Sequence, residues 1–181
     1  SYNDIKVKKF LEEKNISFSQ QKNISAVFFP IIFINEEMQD FYENFFYDRW
    51  AKTKIKNEII NFILPVEDLD DISKIKKMKN RIEELNFDDI VIKYNIKNYA
   101  FVFMNYQNNQ LNMYLKTKFD NFKTSKNLTY ELDSINNELR LNSILKDLKI
   151  QITDIWKEEN VINMSIPLSI RIKFQHKKLQ D

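Results

Sequence analysis

The stretch FILPVEDLDD, residues 62–71, holds the densest group of chemically active side chains in the sequence. Four carboxylates follow shortly after the proline that ends an apolar run: Glu67, Asp68, Asp70 and Asp71. Carboxylate oxygens are the ligands that Mg²⁺ and Ca²⁺ prefer, and strand-to-helix connections are where α/β proteins place their ligands. The stretch is therefore the best-placed candidate for a metal-dependent enzyme, with Asp68, Asp70 and Asp71 as weak candidate ligands.

A structural role for the same acids needs fewer assumptions. Pro65 ends the strand, and an Asp at 68 or 70 then caps the next helix by accepting backbone N–H bonds. The remaining acids lie at the positive end of the helix dipole, and Asp70 and Lys74 have the spacing of a favourable i,i+4 pair. We expect helix capping to be the main role, with a binding role next and catalysis last.

The composition removes several kinds of catalytic chemistry. Glycine is absent, although a usage of about 7% is normal, so the glycine-dependent phosphate loops of nucleotide-binding proteins are missing. Cysteine is also absent, which removes disulfides, thiolate nucleophiles and zinc–thiolate sites. The one histidine, His176, stands in a polar segment near the C-terminus, where we expect a solvated side chain and no triad base. We therefore predict a protein that is not an enzyme and has no cofactor.

Length and charge indicate one domain over residues 1–181, either complete or a fragment of a longer protein. The 28 basic and 26 acidic residues give a net charge of +2, which does not favour a polyanion as partner. No apolar run approaches the roughly 18 residues that span a bilayer, and no signal-peptide pattern opens the sequence. We expect a cytosolic protein or a mature or excised fragment.

The hydrophobic pattern predicts an α/β (α+β) fold in which helices pack on a mixed sheet of about five to six strands. Helices are predicted at 3–14, 38–51, within 71–95 and at 136–158, and strands at 26–34, 58–66, 99–106, 110–119, 127–132 and 164–174. The order is α-β-α-β-α-β-β-β-α-β. Pro30 lies inside an apolar strand and cannot donate to a ladder, so we predict a bulge or a missing partner there. Asn108 and Asn109 replace the glycine of a tight hairpin turn.

Aromatic and basic residues on the predicted hairpin suggest an alternative function. Tyr106, Tyr114, Lys116 and Lys118 would form a stacking surface for single-stranded nucleic acid if they shared one face of the sheet. A solvated sheet face with scattered lysines explains the same pattern with fewer assumptions. We therefore expect no nucleic-acid partner and keep single-stranded nucleic-acid binding only as the alternative function.

Four stretches resemble a known family: SAVFFPII, ENFFYDRW, NFILPVEDLDD and DIWKEENV. The resemblance is to an uncharacterised proteobacterial domain-of-unknown-function family that is best represented in alphaproteobacteria. In that family an apolar strand with a central proline precedes an Asn-Pro-Trp-x-x-x-Trp segment. A strand that ends in proline, a Pro-x-x-Asp-Leu-x-Asp turn and a Trp-Lys helix end then follow.

The resemblance spans residues 5–174, although each motif is short. The matching residues are Asn44, Trp50, Asp68, Leu69, Asp71, Trp156 and Lys157. Phe45 and Phe46 replace the proline and the first tryptophan of the family pattern, and Glu67 replaces a glycine. The strand and helix order is also similar to the anticodon-binding-like module of the TolB N-terminal domain and its curli-assembly relatives, by topology alone.

The resemblance implies a bacterial envelope-associated protein and supplies no catalytic residues. We therefore expect a non-enzymatic periplasmic or envelope domain that binds another protein or an envelope assembly, with the cytoplasm as the alternative location. The expected exposed contact points are the aromatic segment and the acidic turn, and the candidate partner-binding residues are Asn44, Phe46, Trp50, Asp68 and Asp71.

Overall fold

The computed structural model describes residues 24–56 and 58–164 of the 181-residue chain. The helix predicted at 3–14, the strand predicted at 164–174 and His176 lie outside this part, apart from residue 164 itself. The other predicted elements can be compared with the structure one by one.

Six strands of the described residues form one mixed sheet, which confirms the predicted fold class, although β2 was not predicted as a strand. They are β1 (Ile24–Ile34), β2 (Glu37–Met38), β3 (Ile60–Ile63), β4 (Tyr99–Gln107), β5 (Gln110–Phe119) and β6 (Phe122–Glu131). Their order is β2-β1-β4-β5-β6, and β3 also pairs with β1. β1 runs parallel to β3 and β4, whereas β4, β5 and β6 form an antiparallel meander.

In the part of the chain that the structure describes, four helices and two short 3₁₀ segments connect and cover the strands. The helices are α1 (Phe45–Trp50), α2 (Leu69–Lys77), α3 (Phe87–Val91) and α4 (Glu138–Met164), and the 3₁₀ segments are Lys79–Glu84 and Ile92–Tyr94. The helix predicted at 38–51 is wrong in extent, because Asn44 caps a helix that begins only at residue 45. The strand predicted at 58–66 is likewise shorter and pairs only over 60–63.

Helices cover both faces of β1, which explains why its residues are apolar without alternation. One face of the sheet packs against α1 and α4 through a cluster that includes Phe28, Trp50 and Leu145. The other face packs against α2, α3 and the first 3₁₀ segment through a second cluster that includes Phe29 and Ile90. The chain leaves β1 on the first face and returns from β3 to β4 on the second.

The missing partner that Pro30 predicts is confirmed on one edge of β1. β3 pairs with residues 24–27 and β2 with residues 33–34, so neither strand reaches the proline. The opposite edge is continuous, with Pro30 aligned to Val102 of β4. In the gap, Nδ2 of the buried Asn44 donates to the carbonyl oxygen of Pro30 at 3.1 Å. The side chain of Asn44 therefore supplies the hydrogen-bond donor that a neighbouring strand would otherwise provide at Pro30.

Asparagine and aspartate supply most of the left-handed turns that glycine usually makes. Five of the six positive-φ residues in the described part are Asn or Asp, and Glu36 is the sixth. Asn108 and Asn109, at φ 53° and 59°, form the predicted hairpin turn between β4 and β5. These side chains tolerate the left-handed region better than most residues do, so a chain without glycine still closes its hairpins.

Candidate functional site

Asp68 caps α2, which confirms the structural role predicted for the acidic stretch. Its backbone is extended, at φ −137° and ψ 118°, and its Oδ1 accepts hydrogen bonds from the N–H groups of Asp70 at 3.0 Å and Asp71 at 3.1 Å. Two N–H groups that the helix leaves unpaired are thereby satisfied. The helix therefore begins immediately after this residue. The Asp70–Lys74 pair that the spacing favours is not among the ion pairs of the described residues.

Lys93 binds two of the four carboxylates of the acidic stretch. Its Nζ donates to Oδ2 of Asp68 at 2.8 Å and to Oδ2 of Asp71, whose side chain is buried. The hydrogen bond from Lys93, together with those from backbone N–H groups, lowers the pKa of Asp68. Partial burial opposes protonation of Lys93, but its hydrogen bonds to Asp68 and Asp71 leave its pKa raised. Asp68 and Lys93 are therefore both charged at neutral pH.

This ion pair changes how the acidic stretch can act. Asp68 and Asp71 direct oxygens at an ammonium group, and Asp70 remains exposed at the helix start. Among residues 24–56 and 58–164, no three acidic or histidine side chains are arranged to hold a metal ion. Two of the three candidate metal ligands, Asp68 and Asp71, thus share one lysine, and the third, Asp70, is exposed to solvent.

Two tyrosines hold the segment that precedes the cap. The hydroxyl of Tyr47 donates to the carbonyl oxygen of Pro65 at 2.8 Å, and the hydroxyl of Tyr94 accepts from the N–H of Val66 at 3.2 Å. Burial raises the pKa of both hydroxyls, so both stay protonated at neutral pH. The backbone at 65–66 is therefore fixed from both sides, by α1 and by the second 3₁₀ segment.

Three aliphatic side chains around this fixed segment face solvent. Val66, Leu69 and Ile92 are 74%, 81% and 75% exposed. The carboxylates of Glu67 and Asp70, both exposed, are next in sequence to Val66 and Leu69 and form no ion pair within the described chain. We call these five residues the acidic-turn surface. It combines aliphatic side chains and unneutralised carboxylates on a rigid support.

The loop of residues 40–43 extends the acidic character of this region. Tyr42 is exposed and its hydroxyl donates to Asp40 at 3.0 Å. That hydrogen bond, with further contributions from the charges of Glu43 and Glu67, raises the pKa of Tyr42. Glu67 therefore lies close enough to this loop for its charge to contribute to the raised pKa of Tyr42.

The structure corrects three of the predicted contact residues. Asn44, Phe46 and Trp50 are buried and cannot meet a partner. Oδ1 of Asn44 accepts from the N–H of Phe46 at 3.0 Å and caps α1, while its Nδ2 donates to the carbonyl oxygen of Pro30. Trp50 stacks on Phe28, with ring centroids 3.4 Å apart and an interplanar angle of 10°. The aromatic residues at helical spacing therefore pack in the core. The expectation that they form an exposed contact segment is wrong for these residues.

The aromatic and basic residues proposed for nucleic acid do not share a surface. Tyr106 pairs with Leu111 and Tyr114 pairs with Phe103, which places the two tyrosines on opposite faces of the sheet. Lys116 donates to the carbonyl oxygens of Glu83 and Leu85.

Lys118 is also committed to the fold, because it pairs with Asp88 at 2.7 Å. Lys123 contacts the same carboxylate at 2.6 Å. Burial alone would raise the pKa of Asp88, but the hydrogen bonds from these two lysines leave it lowered. The predicted stacking surface is therefore not formed, and its lysines hold the first 3₁₀ segment and α3 onto the sheet.

One buried ion pair has no counterpart in the sequence predictions. Lys149 of α4 donates to the carbonyl oxygen of Thr53 at 2.6 Å and to Oε1 of Glu58 at 2.9 Å. Its Nζ also lies 4.9 Å from the ring centroid of Trp50. The side chain of Lys149 is 2% exposed, and this burial lowers its pKa. The lysine fastens α4 to the connection between α1 and β3, beside a cavity of about 340 Å³.

Neither Lys93 nor Lys149 could be identified from the sequence. Each is separated from its acidic partner by more than one element. The spacing from Leu145 to Ile152 places residue 149 on the inward face of α4, but it does not indicate which acid neutralises the lysine. Pairing over such distances depends on how elements pack, which local spacing does not encode.

Comparisons with known proteins give no relative from which a function could be transferred. No protein-family model, no curated protein and no solved structure matches this chain. Within the described residues, no helix is both long enough and apolar enough to cross a membrane.

Proposed function

We propose that this chain is a non-enzymatic protein-interaction domain that binds another protein or an envelope assembly through the acidic-turn surface. The observation that carries the proposal is the exposure of Val66, Leu69 and Ile92 around a segment that tyrosines and Lys93 hold in place. Exposed apolar side chains grouped on a rigid support are typical of binding surfaces. Asp68 and Asp71 support the surface from beneath, while Glu67 and Asp70 present free charge.

Charge complementarity defines the partner. Free carboxylates beside aliphatic side chains favour a partner segment in which lysine or arginine alternates with aliphatic residues. The aliphatic contacts supply burial, and the carboxylates steer a basic segment and fix its register. The exposed carboxylates of Asp40 and Glu43 add to the negative potential of this region. We propose a basic, amphipathic segment of a partner protein as the occupant.

Crosslinking tests the proposal in cells of the native host. A photo-crosslinking residue in place of Leu69 is expected to give a discrete protein adduct whose crosslinked peptide contains Lys or Arg beside aliphatic residues. The same residue in place of Ile150, exposed on α4, is the matched control and is expected to give none. Adding Glu67→Lys and Asp70→Lys to the variant that crosslinks from position 69 is expected to remove most of the adduct, because two complementary charges become repulsive.

Three outcomes would contradict the proposal. The first is no adduct from position 69, the second is equal adducts from positions 69 and 150, and the third is an adduct that survives the charge reversal. Each would exclude a basic partner at this surface. Circular dichroism of each variant distinguishes loss of the surface from loss of the fold, since both acids are exposed and neither caps the helix.

The envelope, in the periplasm, is the location we propose, with the cytoplasm as the alternative. The support is the resemblance of the strand, turn and helix-end motifs to an envelope-associated bacterial family. Fractionation of the native host, followed by immunoblotting, is expected to recover the protein with periplasmic markers. Recovery only with cytosolic markers would transfer the interaction to a cytoplasmic partner and leave the surface argument unchanged.

A further inference from the structure

The meander β4-β5-β6 carries a row of neutral polar side chains on the sheet face opposite α4. The register aligns Asn105, Asn112 and Thr129 across the three strands, and the neighbouring row on that face aligns Phe103, Tyr114 and Asn127. Side chains in one row point to the same face of a sheet. These six residues line a groove of about 570 Å³, which we call the amide groove.

The amide groove is open at one end of the meander and closed at the other. Ile82 and Glu83 of the first 3₁₀ segment form its side wall. The next rows along the same face hold Lys116 and Lys118, and these side chains reach across to the 3₁₀ segment and α3. In the row before them Phe103 is buried and Tyr114 is half-buried, whereas Asn112 and Thr129 of the outer row are exposed. The groove is thus a bounded recess on the sheet.

Most hydrogen-bonding groups in the groove are neutral, and several are free. Thr129 donates its hydroxyl hydrogen to Oδ1 of Asn112 at 2.9 Å, which leaves the amino group of Asn112 as a donor. The side-chain amides of Asn105 and Asn127 and the hydroxyl of Tyr114 have no hydrogen-bond partner within residues 24–56 and 58–164. Each amide offers both donors and an acceptor. Glu83 is the one charged residue of the lining.

We infer that the amide groove binds an uncharged saccharide. Neutral amides and hydroxyls match the alternating donors and acceptors of sugar hydroxyls, and the half-buried ring of Tyr114, beside the buried ring of Phe103, offers apolar surface to the C–H face of a pyranose. Three strands about 4.8 Å apart and two rows about 7 Å apart give an area suited to one or two sugar units.

The same chemistry argues against other occupants. Nucleic acid binding depends on cations that neutralise phosphates, and the lysines nearest to the groove are held by Glu83, Leu85 and Asp88. An extended peptide pairs with the edge of a sheet and not with its face. The groove is also separate from the acidic-turn surface, so this inference does not depend on the proposed function.

The test is an NMR titration of the full chain with three neutral oligosaccharides: maltotriose, cellotriose and chitotriose. At least one is expected to shift the side-chain amide signals of Asn105, Asn112 or Asn127 saturably, with a Kd of about 1 mM or lower. Asn112→Leu and Asn127→Leu are expected to weaken this binding by about tenfold or more. The matched control is Asn61→Leu. Asn61 is an exposed residue of β3, which pairs with the opposite edge of β1, and its substitution is expected to leave the Kd unchanged.

Several results would overturn the inference. They are no saturable shift with any of the three sugars up to about 10 mM, equal loss of affinity in the Asn61→Leu control, and full affinity in both groove variants. If either groove variant fails to fold, Tyr114→Phe removes one hydroxyl from the partly exposed ring. Unchanged affinity in that variant together with unchanged Asn127 shifts would likewise exclude the groove as the site.

Discussion

Replacing Asn44 with alanine is expected to lower the free energy of unfolding by about 2–4 kcal/mol. The side chain caps α1 through Oδ1 and donates through Nδ2 to the carbonyl oxygen of Pro30. Alanine removes both bonds, and the Pro30 carbonyl is left in the gap between β2 and β3, where no strand is paired. A buried carbonyl without a donor adds its desolvation cost to the loss of the cap.

Urea denaturation of three variants separates the two roles. Asn44→Ser keeps a capping oxygen but does not reach Pro30, so we expect an intermediate loss of stability. Asn86→Ala removes the cap of α3, where Asn86 is exposed, and is expected to cost only about 0.5–1 kcal/mol. Equal losses for Asn44→Ala and Asn86→Ala would mean that the link to Pro30 contributes nothing.

Replacing Lys149 with methionine is expected to cost about 3 kcal/mol of unfolding free energy. Methionine preserves most of the volume against Trp50 but removes the ammonium group that binds Glu58 and the carbonyl oxygen of Thr53. Breaking a buried pair by removing one partner costs more than the pair contributes, because the other charge is left behind. The side chain of Glu58 is 27% exposed, so water moderates the loss.

A double-mutant cycle with Glu58→Gln measures this coupling. The second substitution is expected to recover part of the loss, because it removes the carboxylate that Lys149→Met leaves unpaired. Lys146→Met, at an exposed position one turn earlier on α4, is the matched control and is expected to change stability by less than about 0.5 kcal/mol. A loss in Lys149→Met no larger than in Lys146→Met would contradict the role of the buried pair.

Local patterns predicted the parts of the fold that depend on periodicity. Alternation along β5, the Asn108-Asn109 turn and the long amphipathic helix all led to elements that the structure contains. The apolar run of β1 indicated burial on both faces, and Pro30 indicated the interrupted edge. These features succeed because side-chain direction and backbone preference are set within a few residues.

Local patterns did not predict the starts of elements that depend on exposed polar residues or on tertiary contacts. β6 was predicted only from residue 127, although it begins at Phe122, because an edge strand with exposed lysines lacks an apolar alternation. The late start of α1, at residue 45, depends on its cap Asn44, whose side chain also donates to Pro30, fourteen residues away.

For the candidate site, the capping role of Asp68 followed from its position before a helix. Its pairing with Lys93 did not, because that contact joins two elements that only the folded chain brings together. The contact residues suggested by family resemblance were partly core residues, since a motif match does not distinguish packing from binding.

We propose that the carboxylates of the acidic stretch serve the fold and a protein-binding surface, and do not hold a metal ion. Calorimetric titration of the full chain with Mg²⁺, Mn²⁺ and Ca²⁺ tests it most directly, with Asp68→Asn as the comparison. We predict no saturable heat for any of the three ions in either protein, because Lys93 already neutralises Asp68 and Asp71. Saturable heat in the wild-type protein that Asp68→Asn abolishes would show instead that the acidic stretch holds a metal ion.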